Sequence, residues 1–407
     1  MTRILLFTGK GGVGKTTTAA ATAAHAARRG LRTLVLSTDP AHSLADAVAL
    51  PIGSDPTELD ERLYGQQLDA TERLEESWGE IRAWMVEVFD WAGADAVEAE
   101  ELSVVPGLDE VFALADLKRF AASGEWDLLV VDCAPTAETI RLLSLPDILA
   151  WYMDRVFPTT RRVARVVGPV LQRVGRLPVA GDEVFGATAR LYERLDGAKA
   201  VLTDPQRASV RLVVNAEAMV IAEARRTHTY LSLFGYHVDA VVVNKLLPAE
   251  LVDPGSTGGS SCRPATWPSS TTASPRCPCC ATLTDDELVG LPALRRFADD
   301  LYADVDPLAV LHQGTPMRIR PVPGADERWE LELDLPFADR GALDVARHGA
   351  ELLVRVGPYR RAVHLPDSLR RRPITDAALR DGTLRVAFGA KAGGRGSSDT
   401  DAARPEG

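Results

Sequence analysis

The residues best suited to chemistry lie in one short loop near the beginning of the chain. Residues 9–16 read GKGGVGKT and fit the pattern G-x-x-x-x-G-K-[ST]. In this pattern the glycines let successive backbone N–H groups face phosphate oxygens, Lys15 reaches the β- and γ-oxygens, and Thr16 offers a hydroxyl to Mg²⁺. We therefore expect a nucleotide and Mg²⁺ here. The predicted nucleotide contacts are Gly9, Gly11, Gly12, Val13, Gly14, Lys15, Thr16 and Thr17.

Two acidic residues follow apolar runs further along the chain. Asp39 comes shortly after the run TLVLS at residues 33–37, and Asp132 directly follows the run WDLLVV at residues 126–131. Ligands of open α/β sheets bind at the carboxyl ends of parallel strands, so both acids are candidates for the same site as the loop. For Asp39 alone, a helix cap ahead of the sequence PAHS is an equally good interpretation.

A parallel sheet is predicted to position the loop and the acids. Residues 4–7 (ILLF) predict a strand directly before the loop, and the alanine-rich Thr17–Arg29 predicts a helix after it. Further apolar runs, typical of strands buried on both faces, alternate with helical stretches; they lie at 33–37, 126–131, 211–214 and 240–244. The predicted fold class is α/β, a P-loop NTPase with a mostly parallel sheet and helical insertions.

The helical insertions are predicted at about residues 70–120 and 145–200. Within the first, large apolar side chains recur at helical spacing at Trp78, Ile81, Trp84, Met85, Val88 and Phe89. Ordinary core packing explains any one of these residues. The set as a whole suggests a groove for an apolar partner.

The chain changes character after the nucleotide-binding domain, which we place at residues 1–312. The sequence WELELDLP at residues 329–336 alternates apolar and acidic residues, and ELLVRVGPYRRAVHLP and DGTLRVAF continue with a period of two. Residues 313–390 therefore predict a small antiparallel β-sandwich. Residues 391–407 are rich in glycine, serine and charge and are predicted to be disordered.

Composition excludes several classes of protein. The 407 residues exceed what one compact core usually spans, and 46% apolar with 25% charged residues indicates a globular chain. A net charge of −11 argues against a protein that coats nucleic acid. The apolar run ILLF is too short for a signal peptide or a membrane span. We expect a cytoplasmic protein without nucleic-acid partners or stable membrane insertion.

Four motifs together resemble one family. They are the loop GKGGVGKTT, which has a second lysine at Lys10, STDPAHSLAD at residues 37–46, DCAPTAET at residues 132–139 and VVVNK at residues 241–245. In this order they are similar to the arsenite-transporter and tail-anchored-protein targeting ATPases, in their bacterial form. The resemblance covers residues 1–250 and resumes at LTDDELVGL.

The resemblance implies a role for each matching residue. Lys10 would reach across a homodimer interface to the partner's ATP, as an arginine finger does. Asp39 would orient or deprotonate the attacking water. Pro135 and Thr136 would form a second switch, and Asn244 would read the adenine edge. The group implied for Mg²⁺ is Thr16, Asp39 and Asp132, with Asp132 acting through a water.

The β-sandwich sequences resemble the small heat-shock protein fold, in the form fused to actinobacterial members of this ATPase family. The whole chain then indicates an ATP-hydrolysing dimeric switch that binds, chaperones or targets a hydrophobic or tail-anchored client. The alternatives are an arsenite or anion pump subunit and a regulatory ATP-binding module without a client. One thiol in the main body, Cys133, cannot make the multi-thiolate site that arsenite requires, so the pump role depends on whether the cysteines from Cys262 to Cys280 supply ligands. Cys133 itself is expected to be a small buried residue.

Four of the five cysteines lie between Cys262 and Cys280, in an aberrant segment at 255–281 that is rich in serine, threonine and proline. The C-x-x-C at 277–280 is typical of zinc sites, but its position differs from that of the family's zinc motif. A flexible linker is a second interpretation. We favour a third, in which the stretch is translated out of frame, because GC-rich codons for it, shifted by two bases, spell Ala-Ala-Leu-Pro-Val-Leu. On this interpretation loop replaces a wall of the adenine pocket. The nucleotide sequence of the gene tests it.

Overall fold

The structure is a computed structural model of the chain. It describes residues 1–39, 43–67, 108–155, 186, 189–190, 192–193, 195, 197–246, 279–282, 287–303, 305–322, 328–390 and 402–403. The apolar helix predicted at 78–91 lies outside the described residues, as do most of the cysteine-rich segment and most of the predicted disordered tail.

An eight-stranded sheet forms the nucleotide-binding domain, in the order β3-β4-β2-β5-β1-β6-β7-β8. Seven of its strands are parallel, and only β3 runs antiparallel to its neighbour β4. The strands are β1 (Arg3–Thr8), β2 (Thr33–Ser37), β3 (Thr57–Asp60), β4 (Leu63–Gln67), β5 (Leu128–Asp132), β6 (Ala208–Val214), β7 (Val238–Leu246) and β8 (Cys279–Thr282). The mostly parallel α/β sheet that the sequence predicts is therefore confirmed.

Helices follow the strands and pack on the sheet. The described helices of this domain are α1 (Lys15–Arg28), α2 (Ser43–Val48), α3 (Leu108–Ser123), α4 (Thr136–Arg155), α5 (Ala198–Leu202), α6 (Ala218–Phe234) and α7 (Leu291–Tyr302). Alanines fill the buried face of α1, which lets it lie close to its neighbours. The hydroxyl of Tyr302 in α7 lies 2.7 Å from that of Thr22 in α1. Residues beyond 290 thus complete the core of the first domain.

The end of the cysteine-rich segment differs from the loop we expected. Cys279–Thr282 form β8, which pairs in parallel with β7 through Val242–Cys279 and Val243–Cys280. The expectation failed because a parallel edge strand needs only backbone groups to match its neighbour, and cysteine and threonine tolerate extended backbone. Residues 255–278 lie outside the described residues, so the three interpretations of that part stay open.

The C-terminal region is the predicted antiparallel β-sandwich. Its sheets have the orders β14-β15-β10-β9 and β13-β12-β11-β16. Its strands are β9 (Met317–Pro321), β10 (Trp329–Asp334), β11 (Leu343–His348), β12 (Glu351–Val356), β13 (Tyr359–His364), β14 (Ile374–Arg380), β15 (Thr383–Phe388) and β16 (Ala402–Ala403), with a short helix α8 (Asp367–Arg370). The inward residues of both sheets share one apolar core, as their alternation predicts. The two residues of β16 belong to the predicted disordered tail and pair with β11.

Helix α6 anchors the sandwich to the nucleotide-binding domain. Leu233 of α6 is fully buried within the apolar core of the sandwich. The ring of Tyr230 lies 4.4 Å from that of Tyr359, and Arg361 donates a 2.5 Å hydrogen bond to the carbonyl of Leu233. The hydroxyl of Thr229 donates to the carbonyl of Pro336. One helix of the first domain thus supplies side chains to the core of the second.

Buried histidines near this junction make stability depend on pH. Burial, with the nearby His312 and His237, lowers the pKa of His228 to about 3. Burial also lowers the pKa of His237 to about 4, against the opposing charge of Asp239. The unfolded chain takes up these protons near pH 6.5 and the folded chain does not. The contribution of the two neutral histidines to the free energy of unfolding is therefore fully present above pH 6.5 and is lost as the pH falls.

We expect His228 alone to lower the free energy of unfolding by about 2 kcal/mol between pH 7 and pH 5, because each pKa unit corresponds to about 1.4 kcal/mol. Urea titrations at the two pH values measure this difference. In His228→Phe the pH dependence should be weaker by that amount. The control is His348→Phe, at an exposed histidine. Equal pH dependence in His228→Phe and the wild type would contradict the prediction.

Candidate nucleotide site

Strand β1 delivers the glycine-rich loop to the carboxyl edge of the sheet. β1 is fully buried between β5 and β6, so the loop emerges at the centre of that edge. A Cβ atom on Gly9 would collide with the carbonyl oxygen of Val213 in β6, which explains a glycine at the first position. Helix α1 then begins at Lys15, whose side chain is 6% exposed and lines the cavity described below.

Gly14 joins the loop to α1 in a conformation that favours glycine. Its φ is 92°, and a Cβ atom there would collide with the side-chain nitrogen of Asn244 at the end of β7. That nitrogen donates a 2.9 Å hydrogen bond to the carbonyl of Val13, while the Asn244 oxygen accepts from the backbone N–H of Lys245 at 2.9 Å. These contacts use one of the two N–H groups of the amide and one of its acceptor positions. Adenine recognition by Asn244 stays a prediction.

The predicted Mg²⁺ ligands converge beside Lys15. Asp132 at the end of β5 is fully buried, and Ser37 donates a 3.4 Å hydrogen bond to its Oδ2 atom. Burial raises the pKa of Asp132 to about 7; the Thr16 hydroxyl and the charge of Lys15 oppose this rise, and Asp39 adds to it. Thr16 and Asp39 line one cavity with Lys15, and Asp132 lies at the end of β5, where their charges and hydroxyl groups act on it.

This group of oxygens fits a divalent cation. The Oδ1 atom of Asp132 is buried, and within the described part of the chain it has no hydrogen-bond partner. Such an atom is costly to bury unless a cation or a water satisfies it. The Thr16 hydroxyl lies 3.0 Å from that of Ser43 at the start of α2, so both hydroxyls face the same place. Carboxylate and hydroxyl oxygens are the ligands that Mg²⁺ prefers.

A cavity of about 550 Å³ opens at this edge, a size typical of nucleotide-sized ligands. It is lined by Gly11, Gly12, Gly14, Lys15, Thr16, Thr17, Asp39, Ser43, Asp46, Ala47, Pro135, Asn244, Lys245, Glu287, Leu288 and Val289. The structure therefore brings most of the predicted site residues to one cavity. Gly9 and Val13 are buried in the loop behind it.

Lys10 lies apart from the cavity lining. Its side chain is half-buried, and it does not line the cavity that Lys15 lines. Within a single chain the two loop lysines therefore occupy different environments. The reach of Lys10 across a dimer interface stays a prediction.

Residues 135–136, which are predicted to form the second switch, are connected to the sheet edge and to α6. Pro135 lines the cavity, and its carbonyl accepts the backbone N–H groups of Glu138 and Thr139, which begins α4. The hydroxyl of Thr136 donates a 3.0 Å hydrogen bond to Glu223 of α6. A displacement of residues 135–136 would therefore break or move the contact with Glu223 of α6.

Some residues of the cavity were not assigned a role from the sequence. Asp46, Glu287 and Lys245 line it, yet an acid or lysine beside a motif is usually a solvated surface residue. The backbone N–H of Gly290 donates a 2.9 Å hydrogen bond to the carbonyl of Ala47, which ties the 287–290 segment to α2. The available signal was the motif LTDDELVGL, which contains Glu287 and at which the family resemblance resumes.

Cys133 is a structural residue, as expected. It is fully buried directly after β5, and burial raises the pKa of its thiol. A thiol in this environment is a poor ligand for a soft ion, because the thiolate is the binding form. Among the described residues, no group of three or more histidine, cysteine, aspartate and glutamate side chains is arranged to hold a metal ion.

A phosphate loop after the central strand, with two acids at neighbouring strand ends, defines a P-loop nucleotide hydrolase. Residues 2–265 match the family model described as anion-transporting ATPase, and residues 326–388 match the HSP20-like domain found in ArsA. The chain belongs to the anion-transporting ATPase family, in the form that carries this second domain. ATP hydrolysis is the activity of that family.

Two curated relatives match nearly the whole chain, and a third matches part of it. A protein of Prosthecochloris vibrioformis named putative arsenical pump-driving ATPase is 37% identical over 95% of this chain and 96% of its own. An uncharacterised protein of Streptomyces coelicolor is 35% identical over 95% of this chain and 97% of its own. The ATPase GET3 of Rhodotorula glutinis is 28% identical over 60% of this chain and 69% of its own.

In the described residues no helix is both long and apolar enough to cross a membrane.

Proposed function

We propose that the chain is a cytoplasmic, dimeric ATP switch that uses Mg²⁺-dependent hydrolysis of ATP to bind or target a hydrophobic client protein. The observation that carries the switch in this proposal is the connection from the nucleotide site through α6 to the β-sandwich. Thr136 contacts Glu223 near one end of α6, and Leu233 at the other end is buried in the core of the sandwich. A rigid helix between two such contacts couples their positions.

Each site residue has a separate role in the hydrolysis of ATP. The backbone N–H groups of residues 11–15 and the Lys15 ammonium hold the β- and γ-phosphates. Asp39 orients the attacking water. Thr16 and Asp132 would hold Mg²⁺, which neutralises the phosphate charge. Lys10 of the other protomer would add the last positive charge. Each of these groups stabilises charge that grows during transfer of the phosphoryl group.

The client is expected to bind outside the sandwich. Among the described residues, the exposed large apolar side chains are Met1, Leu50, Met219 and Val289, and none of them belongs to the sandwich. Client binding requires a contiguous apolar surface. The predicted apolar helix at 78–91 is the best candidate for that surface. The sandwich would instead hold or shift α6, the helix on which it packs.

The test is turnover of ATP with and without a peptide that forms an apolar helix. We expect the peptide to raise turnover severalfold in the wild type, because a client favours the closed dimer that hydrolyses ATP. Lys10→Ala should lose this stimulation. The matched control is Lys118→Ala, at a lysine of α3 that donates to the carbonyl of Glu193 and does not line the cavity.

Two outcomes would contradict the proposal in different ways. If the peptide leaves turnover unchanged, the chain is a regulatory ATP-binding module or handles another ligand. If Lys10→Ala behaves as the wild type does, the dimeric mechanism fails even where the peptide stimulates. Sedimentation with Mg²⁺ and a non-hydrolysable ATP analogue checks the dimer directly.

An arsenite or anion pump subunit is the second candidate, because two relatives carry the name putative arsenical pump-driving ATPase. The buried thiol of Cys133 does not support it. Stimulation of turnover by arsenite, and its loss in Cys279→Ser with Cys280→Ser, would favour this candidate over client handling.

A further inference from the structure

Lys245 lies where β7 ends against the phosphate loop. Its ammonium donates a 2.7 Å hydrogen bond to the carbonyl of Gly12, and the adjacent Asn244 donates to the carbonyl of Val13. The side chain of Lys245 is exposed at the mouth of the cavity. Two successive residues of β7 therefore hold two successive carbonyls of the loop.

The geometry of the peptide bond gives these contacts a consequence. In a planar trans peptide the carbonyl of one residue points opposite to the N–H of the next. A donor that fixes the Gly12 carbonyl therefore fixes the direction of the Val13 N–H, and one that fixes the Val13 carbonyl fixes the Gly14 N–H. Those N–H groups are the ones that the phosphate loop uses for its ligand.

The backbone of Lys245 supports a functional explanation of this contact. Its φ is +57°, a left-handed conformation that is unusual for a residue with a side chain. The Asn244 side chain accepts the N–H of Lys245 at 2.9 Å and holds this conformation. Strained backbone of this kind is kept where the surrounding structure requires it, and often at functional sites.

We propose that Lys245 is a positioning residue: by holding the Gly12 carbonyl it turns the loop N–H groups toward the nucleotide phosphates. The proposal rests on the proposed nucleotide site and adds a residue to it. Lys245 acts on the loop and not on the base, so its effect is the same for every nucleotide that carries the same phosphates. Asn244 supports the neighbouring carbonyl in the same way.

The test compares binding of Mg·ADP and Mg·GDP by calorimetry in Lys245→Met and the wild type. We expect the affinity for both nucleotides to fall by the same factor, about 10- to 100-fold, since a hydrogen bond from a charged donor is lost. The ratio of the two dissociation constants should stay constant. Lys245→Arg should recover much of the affinity, and Lys118→Met is the matched control on α3.

Lys245→Gly separates positioning from a general role in stability. Glycine adopts φ near +57° without strain, so the thermal midpoint should not fall, although nucleotide affinity should. A lower midpoint together with unchanged affinity would show a purely structural lysine. A changed ADP to GDP ratio in Lys245→Met would show that the residue acts on the base. Either result overturns the proposal.

Hydrogen exchange of the protein without nucleotide gives an independent readout. The amides of Val13 and Gly14 should exchange faster in Lys245→Met than in the wild type, because their peptide planes are less restrained. Unchanged exchange rates would overturn the proposal even if the wild type binds nucleotide well. Conversely, faster exchange in a protein that binds no nucleotide would support the loop contact and refute the proposed function.

Discussion

Replacement of Lys15 by methionine is expected to reduce turnover of ATP by about 100- to 1,000-fold, the usual effect of removing one preorganised electrostatic group. Lys15 is 6% exposed and lies in the cavity, so its charge acts where water screens it little. Methionine keeps most of the side-chain stem and removes only the ammonium. Steady-state turnover with saturating Mg²⁺ and ATP measures the effect.

The fold should survive this substitution. A buried ammonium without ligand carries a desolvation penalty, so methionine should leave the thermal midpoint unchanged or higher. Lys118→Met, on the exposed side of α3, is the control and should keep wild-type turnover. Turnover that persists in Lys15→Met, or is lost only as the protein unfolds, would contradict the role of Lys15 in the site.

Local patterns made the loop and the sandwich predictable. The phosphate loop could be predicted from eight consecutive residues alone, because the spacing of the glycines and the lysine that follows them are typical of this loop conformation. The period-two alternation of Trp329–Asp334 likewise indicates which face of β10 enters the core. In both cases neighbouring residues carry the information.

Contacts between distant residues were not predictable in the same way. The bond from Asn244 to Val13 joins residues 231 positions apart, and only the order of the strands in the sheet brings them together. The VVVNK motif predicted adenine recognition by Asn244, which stays a prediction, and gave no sign of the contact with the loop. The burial of Leu233 in the second domain also depends on how the domains pack.

An ion cluster at the opposite edge of the sheet also depends on strand order. Asp239 of β7 accepts hydrogen bonds from Arg3 of β1 at 3.4 Å, Arg211 of β6 at 3.3 Å and the backbone N–H of Leu311 at 3.3 Å. Asp239 and Arg211 are almost fully buried. Burial lowers the pKa of Arg3 to about 10, and Asp239 opposes that change, so the guanidinium stays charged near neutral pH.

Asp239→Ala is therefore expected to cost about 3–5 kcal/mol of unfolding free energy, since it leaves two buried guanidinium groups without their shared partner. Asp299→Ala is the matched control; its pair with Arg28 is about half exposed and should contribute about 0–1 kcal/mol. Urea titration of both variants measures the difference. Equal losses in the two variants would contradict the prediction.

The same variant separates stability from catalysis. Arg3 and Asp239 lie near the amino ends of β1 and β7, whereas the nucleotide cavity opens at the carboxyl edge. The KM for ATP should therefore stay near the wild-type value at a temperature where Asp239→Ala remains folded. Replacing Asp239 and Arg211 together with leucine and methionine should recover part of the lost stability, because the Arg211 charge is then removed and only the Arg3 guanidinium lacks its carboxylate partner. A raised KM in the folded single variant would mean that the cluster also shapes the site, through β1 and β6.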